Sequence, residues 1–211
     1  MERNFSCTDC GLAGCAKKGG RKPPNCVGDN LEESELSLSI SRYTSEENAP
    51  VLLAAAEVEE EGHGLLTRIE EIILFAKKMG YKKIGVASCI SMISEARTFA
   101  KILRSHGFEV YGISCKSGSI LKDDVGIPNC NSTGFMICNP ILQAQLLNKE
   151  KTDFNVLAGL CVGHDSIFYK YSEALCTTVI TKDRVLVHNP AAALYKATSL
   201  YRRMFGEYET E

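Results

Sequence analysis

The sequence lacks a long apolar run, a large excess of charge of one sign and an internal repeat. No apolar stretch approaches the roughly 20 residues that a membrane-spanning helix needs, so we expect no membrane partner. The net charge of −2 at pH 7 argues against a protein built to neutralise many phosphates. We therefore do not expect a nucleic acid as the partner.

An apolar signal segment is also missing at the N-terminus, where Met1-Glu2-Arg3-Asn4 leads into cysteines. We therefore expect a cytoplasmic protein with reduced thiols. In that compartment the ten cysteines among 211 residues indicate metal ligation or thiol chemistry rather than disulfides. A single cysteine is also common as a small buried hydrophobe. The apolar fraction of 45% is sufficient for a full core.

Four cysteines at the N-terminus have a spacing typical of a metal site: Cys7, Cys10, Cys15 and Cys26. A C-x-x-C pair brings two sulfurs within reach of one ion, and two further cysteines complete a four-thiolate set. The spacing fits neither a structural zinc site nor the plant-type iron–sulfur order, so zinc and an iron–sulfur cluster are equally favoured. The alternative is a disordered tail with free or disulfide-forming cysteines.

The composition predicts three parts: a Cys-rich metal-binding module over 1–30, a linker with two helices over 31–80, and an α/β domain over 81–211. The module has no apolar period and would need a metal in place of a core. Residues 31–45 are predicted to be a linker or a short helix. The two longer helices are predicted over 45–61 and 65–79.

After Gly80 the pattern alternates between strands and helices, which predicts a doubly wound, mostly parallel sheet of the Rossmann or flavodoxin-like type. The predicted strands are 83–88, 108–114, 134–137, 154–160 and 177–181, with 184–187 forming an edge hairpin with the last of them. The predicted helices are 91–106, 140–149, 165–174 and 190–205.

A cysteine follows each of the first four predicted strands: Cys89, Cys115, Cys138 and Cys161. The carboxyl ends of parallel strands lie along one edge of a sheet, where doubly wound proteins bind their ligands. Because cysteines are a small part of the chain, four in these positions indicate a site. Cys130 and Cys176 fall outside this pattern and are interpreted as incidental.

Three of these strand-end cysteines precede helix N-termini, where the helix dipole lowers the pKa of a thiol. His164 and His188 also come close to this edge in the predicted topology. Two functional interpretations stay open. The strand-end cysteines share a metal or cluster, or one of them is a nucleophilic or redox thiol with His164 or His188 as acid and base. The structural alternative is that these residues only pack or cap helices.

Several segments of the chain resemble a family of uncharacterised metal-binding proteins, domain of unknown function 1847. These are the C-x-x-C-G-x-x-x-C segment that starts at Cys7, GYKKIGVASC (80–89), CNP (138–140), LCVGHDSIFYKYS (160–172) and KDRVLVHNPAAALY (182–195). The resemblance covers nearly the whole chain and implies metal binding, without an assigned reaction.

Two hypotheses on function follow. The first is a metal-binding protein whose N-terminal site is structural or electron-transferring and whose strand-end cysteines act as a redox or sulfur-handling enzyme site. It implies a metal ion or cluster and a small-molecule or redox partner. The second is a non-catalytic metal-binding or metal-sensing protein that holds a second ion on the strand-end thiolates.

Overall fold

A computed structural model describes residues 6–128 and 134–206 of the chain. The chain divides into two compact units between Glu57 and Val58. The N-terminal unit contains short 3-10 turns and helix α1 (Glu33–Tyr43), which occupies the segment predicted as a linker or short helix. Helix α2 (Ala49–Gly62) follows α1 along the chain.

Helix α3 (Arg68–Lys78) has its start and its end set by local sequence. Thr67 and Glu70 form a reciprocal capping box, in which the Thr67 backbone N–H donates to Glu70 at 2.7 Å. Acidic residues occupy its first turn and lysines its last, as the helix dipole favours. Gly80, with a φ of 71°, then turns the chain into the first strand.

Four strands form one sheet in the order β2-β1-β3-β4, and every neighbouring pair is parallel. The strands are β1 (Lys83–Ser88), β2 (Glu109–Ser114), β3 (Phe154–Ala158) and β4 (Leu175–Ile180). Helices α4 (Ile93–Ser105), α5 (Pro140–Lys149) and α6 (His164–Tyr171) connect successive strands, and α7 (Ala191–Tyr195) comes after the sheet.

Helices cover both faces of this sheet. Val86 and Val156 point into a buried cluster with residues of α3 and α4. Their neighbours Ala87 and Leu157 point into a second cluster with residues of α5 and α6, including Phe168, which is fully buried. The α/β class with a parallel sheet is therefore confirmed, and the arrangement is compatible with a Rossmann-like fold.

The predicted strand at 134–137 is wrong. Its backbone pairs with the preceding loop instead of the sheet: Ile137 N–H donates to Ile120 and Lys122 N–H donates to Phe135, at 3.0 and 2.9 Å. Only an isolated antiparallel bridge, Leu121 to Met136, is formed there. The apolar side chains that suggested a buried strand are largely exposed at Phe135 and partly at Met136.

The predicted edge hairpin at 184–187 is also wrong, because this segment forms turns. The Asp183 carboxylate accepts the backbone N–H groups of Val185 and Leu186 at 2.9 and 2.8 Å, which bends the chain. Val187 and His188 have φ values of 51° and 63°, which a strand does not allow. The helix predicted over 190–205 is limited to α7 and a short 3-10 turn, Arg202–Phe205.

No helix within residues 6–128 and 134–206 combines the length and the apolar character that are needed to cross a bilayer.

Candidate functional site

Two of the predicted site residues, Cys89 and Cys115, directly follow β1 and β2. The parallel ladder continues into them: Cys115 N–H donates to Ser88 at 2.8 Å, and Cys89 N–H donates to Ala158 at 3.1 Å. The sheet has its switch point between β1 and β3, because the chain builds outward from β1 in both directions. Cys89 and Cys161 follow the two strands that flank this point, where open α/β sheets bind ligands.

Cys138 reaches the same region by a different route, since no strand of the sheet precedes it. The long loop after β2 returns to the site, and the backbone N–H of Asn139 donates to the Cys115 carbonyl at 2.7 Å. Asn139 also caps α5 through a 3.0 Å bond from Leu142 N–H, with Pro140 in the first turn. Backbone pairing and a helix cap therefore hold Cys138 beside Cys115.

Three cysteines pack together at this edge of the sheet, and we call them the thiol cluster: Cys89, Cys115 and Cys138. Cys115 is the central member, and its side chain has the largest influence on the pKa values of the other two thiols. The backbone N–H of Ile90 also donates to the Cys115 sulfur at 3.3 Å. Cys89 and Cys115 are buried, with 5% and 2% of their surface exposed, whereas Cys138 is partly exposed.

A lysine from the loop after β4 contacts this cluster. Lys182 Nζ donates to the Cys89 sulfur at 3.4 Å and also to the Ser91 hydroxyl, which itself lies 3.3 Å from that sulfur. This contact of Lys182 was not predicted from the sequence. The available signal was its position directly beyond a strand, at the same edge of the sheet as the thiols.

The contacts shift the pKa values of the three thiols in different directions. The hydrogen bond from Cys115, helped by Ser91 and Lys182, lowers the pKa of Cys89 to about 4 against the opposing effect of burial. Cys115 likewise lowers the pKa of Cys138 to about 5. Hydrogen bonds to Cys138 and Cys89, together with burial, raise the pKa of Cys115. These contacts therefore favour the thiolate form of Cys89 and Cys138 and the protonated form of Cys115.

Positive charge surrounds the cluster on the Cys138 side as well. After the hydrogen bond from Cys115, the charges of Lys116 and His164 contribute to the low pKa of Cys138. Lys116 is held in place by a 2.6 Å hydrogen bond from its Nζ to the Met136 carbonyl. His164 is the first residue of α6. Its role in the site stays a prediction.

The fourth strand-end cysteine, Cys161, has a cationic partner of its own. Arg184 donates to the Cys161 sulfur at 3.4 Å, and this contact raises the pKa of Arg184. The charges of Cys89 and Cys138 add to that increase in pKa, so Arg184 is electrostatically coupled to the thiol cluster too. Like Lys182, Arg184 was missed as a site residue from sequence.

His188 has a structural contact that the sequence did not predict. The ring Nδ1 of His188 accepts the backbone N–H of Asp183 at 3.1 Å, and the backbone N–H of His188 donates to the Asp183 carbonyl at 2.8 Å. These bonds close the turn over residues 183–188, which carries Arg184. An acid–base role for His188 stays a prediction.

Beneath the cluster, Gln143 of α5 joins the ends of β1 and β2. Its amide nitrogen donates to the carbonyls of Ser88 and Ile113 at 3.1 and 2.7 Å. The side chain is fully buried, and within the described residues its Oε1 has no hydrogen-bond partner. Gln143 therefore fixes the two strands from which Cys89 and Cys115 extend.

The other cysteine of this domain within the described residues, Cys176, lies at the start of β4, as predicted. Its thiol donates to the Ala174 carbonyl at 3.3 Å, and burial raises its pKa. Cys130 lies outside the described residues.

In the N-terminal unit, the four predicted metal ligands are accessible: Cys7 and Cys15 are exposed, and Cys10 and Cys26 are partly buried. Backbone N–H groups of Leu12 and Ala13 lower the pKa of Cys10. Across residues 6–128 and 134–206, no group of three or more Cys, His, Asp or Glu side chains is arranged to hold a metal ion. Metal binding by these four cysteines stays a prediction.

Two comparisons with known proteins bear on this site. A family model described as "Protein of unknown function (DUF1847)" matches residues 26–179, a range that contains all four strand-end cysteines. The uncharacterized protein MJ0455 of Methanocaldococcus jannaschii is 46% identical over 169 residues, which cover 80% of this chain and 87% of that relative.

Proposed function

Since the chain belongs to the DUF1847 family, whose function is unknown, we propose that it is a thiol-dependent redox or sulfur-handling enzyme with the thiol cluster as its working site. The observation that carries the proposal is the packing of Cys89, Cys115 and Cys138 in one cluster at the carboxyl edge of the sheet. A thiolate is the nucleophilic form of cysteine, and two thiolates beside a protonated thiol supply both a nucleophile and a proton donor.

The electrostatics of the neighbouring side chains support this chemistry. Two neighbouring thiolates, of which Cys89 is buried, repel each other and would lose their charge without compensation. Lys182 next to Cys89 and Lys116 near Cys138 offset that charge and would also stabilise a thiolate that leaves during exchange. We propose a cytoplasmic, reducing environment and a small-molecule or redox partner for this site.

A second function, metal binding by the N-terminal unit, has its own supporting observation. The backbone N–H groups of Leu12 and Ala13, which follow the C-x-x-C pair, lower the pKa of Cys10. Such hydrogen bonds stabilise thiolates, the form that ligates zinc or iron. Cys7, Cys10, Cys15 and Cys26 supply the four thiolates that a zinc ion or an iron–sulfur cluster needs, and they would have to converge when the metal binds.

The thiol enzyme proposal is tested by the pH profile of alkylation, read cysteine by cysteine with iodoacetamide and mass spectrometry. Absolute alkylation rates near neutral pH do not separate cysteines of low pKa from ordinary ones, because a thiolate of low pKa is also a weaker nucleophile. An ordinary thiol gains on the order of 100-fold in rate between about pH 6 and about pH 9, as its thiolate fraction rises. We expect Cys89 and Cys138 to change by less than about twofold over that range.

Cys176 is the internal control, since its pKa is raised and its rate should climb steeply with pH. Equally steep profiles at Cys89, Cys138 and Cys176 would contradict the enzyme proposal. If the flat profiles of Cys89 and Cys138 required bound metal and vanished with a chelator, a non-catalytic metal site on these thiolates would replace the enzyme proposal.

A further inference from the structure

We propose that the substrate of the thiol cluster carries a sulfur–sulfur bond, that Cys138 attacks this bond and that Cys115 then resolves the product. The inference rests on the proposed thiol chemistry and adds to it the substrate class and the role of each sulfur. It is carried by three observations: the exposure of the sulfurs, their contacts and the charges around them.

Exposure identifies the entry point. Cys138 is partly exposed, whereas Cys115 and Cys89 have only 2% and 5% of their surface accessible. A substrate that arrives from solvent therefore meets Cys138 first. The loop that carries Cys138 is tied back to the sheet by the Asn139 bond to Cys115, so the sulfur is held in place before the substrate arrives.

Contact identifies the second thiol. The 2.7 Å bond from Asn139 N–H to the Cys115 carbonyl holds Cys138 beside Cys115, and both pack in the same apolar cluster. Cys115 itself is buried, out of reach of bulk reagents. Two groups held in contact react with effective molarities far above any concentration of free thiol in solution. Attack by Cys115 on the Cys138 sulfur is thus favoured over attack by a second substrate molecule.

Two adjacent thiols provide two electrons, and a sulfur–sulfur bond is the substrate that uses both. A carbon electrophile would leave Cys138 alkylated and give Cys115 no role. An S–S bond offers an electrophilic sulfur and a departing thiolate at the same time. The cations Lys116 and Lys182 suit that departing negative charge.

The steps balance for a disulfide R–S–S–R. The Cys138 thiolate forms a bond to one sulfur and breaks the S–S bond, which releases R–S⁻. Cys115 then attacks the Cys138 sulfur, forms the Cys115–Cys138 disulfide and releases the second R–S⁻, while the proton of Cys115 goes to a departing thiolate. The sum is one disulfide reduced to R–SH and R–S⁻, and one protein dithiol oxidised.

A persulfide R–S–S–H follows the same route. Attack by Cys138 on the terminal sulfur releases R–S⁻ and leaves a persulfide on Cys138. Cys115 then attacks the Cys138 sulfur and releases hydrosulfide. In both cases a dithiol reductant returns Cys115 and Cys138 to their starting state by the same exchange chemistry.

The test is a single turnover of the reduced full-length chain, with bis(2-hydroxyethyl) disulfide in one arm and glutathione persulfide in the other. The products are mapped by mass spectrometry, and hydrosulfide is measured in the second arm. We expect a Cys115–Cys138 disulfide in one arm or both, and hydrosulfide identifies the persulfide as a substrate. Dithiothreitol should reverse the bond.

Variants separate the two roles. Cys115→Ser is expected to trap the substrate fragment on Cys138, and Cys138→Ser to slow the reaction by about 100-fold. Cys176→Ser is the matched control and should behave like the natural chain. The disulfide map of the natural chain decides the question even if a variant does not fold.

Flat alkylation profiles without a Cys115–Cys138 disulfide in either arm would overturn this inference and leave the thiol enzyme proposal intact. The same disulfide formed only with hydrogen peroxide would overturn the substrate class. Steep alkylation profiles together with no Cys115–Cys138 disulfide would contradict both the thiol enzyme proposal and the proposed substrate class.

Discussion

Replacing Cys115 by alanine is expected to raise the pKa of both Cys89 and Cys138 by roughly 1–2 units, because a hydrogen bond to a charged group contributes about 1.5–3 kcal/mol and one pKa unit corresponds to about 1.4 kcal/mol. Cys115 makes the largest contribution to the low pKa of each neighbour. Alanine removes the thiol proton that both thiolates share, while Ser91, Lys182 and Lys116 remain in place. The pKa values of Cys89 and Cys138 therefore rise substantially but do not reach that of an ordinary thiol.

The comparison of Cys115→Ala with Cys115→Ser makes this result specific. A serine hydroxyl still donates a hydrogen bond, so the serine variant should retain part of the effect that alanine loses. The measurement is the ultraviolet absorbance of thiolates as a function of pH, with Cys176→Ala as the control. An unchanged titration of Cys89 and Cys138 in the alanine variant would show that Cys115 does not govern them.

The second large effect concerns the N-terminal unit. We expect the full-length chain, purified without oxygen, to carry about one zinc ion or one iron–sulfur cluster, the stoichiometry of a single four-thiolate site. Cys10→Ser should remove nearly all of that metal, because three remaining thiolates form an incomplete set. Elemental analysis gives the amount, and the visible spectrum distinguishes zinc from iron.

Cys89→Ser and Cys176→Ser are the controls for that measurement. Both should retain the full metal content if the metal resides on Cys7, Cys10, Cys15 and Cys26. Retention of metal in Cys10→Ser would contradict the N-terminal site. Loss of metal in Cys89→Ser would instead support the alternative of a thiolate metal site at the sheet edge.

The regular part of the fold could be predicted because its signals are local. The apolar run at 83–88 forms β1, and the Asn139-Pro140 cap starts α5 as expected. A glycine ended the helix before β1, as predicted. The positions of Cys89 and Cys115 could be predicted from these elements, because a residue directly after a parallel strand lies at the edge where the strands end. The resemblance to the DUF1847 family was also correct, while its metal binding stays a proposal.

Contacts that depend on loops could not be predicted. Cys138 comes close to the other thiols although its predicted strand does not exist, because the Asn139 backbone pairs with Cys115 across a long loop. Arg184 was assigned to a hairpin strand, and the side chain of Asp183 bends that segment into turns instead. A side chain that hydrogen bonds to nearby backbone competes with strand pairing, and apolar alternation gives no sign of it.

The most direct test of the central claim is a pH titration of the chain with carbon-13 at the cysteine Cβ, followed by NMR and assigned with single serine variants. If Cys89, Cys115 and Cys138 share one proton near neutral pH, the Cys89 and Cys138 signals should titrate with midpoints at about 4 and about 5. The Cys115 signal should stay in its protonated position beyond about pH 9, above the ordinary pKa of a thiol. Three independent titrations near the ordinary value of about 8.5 would contradict the account.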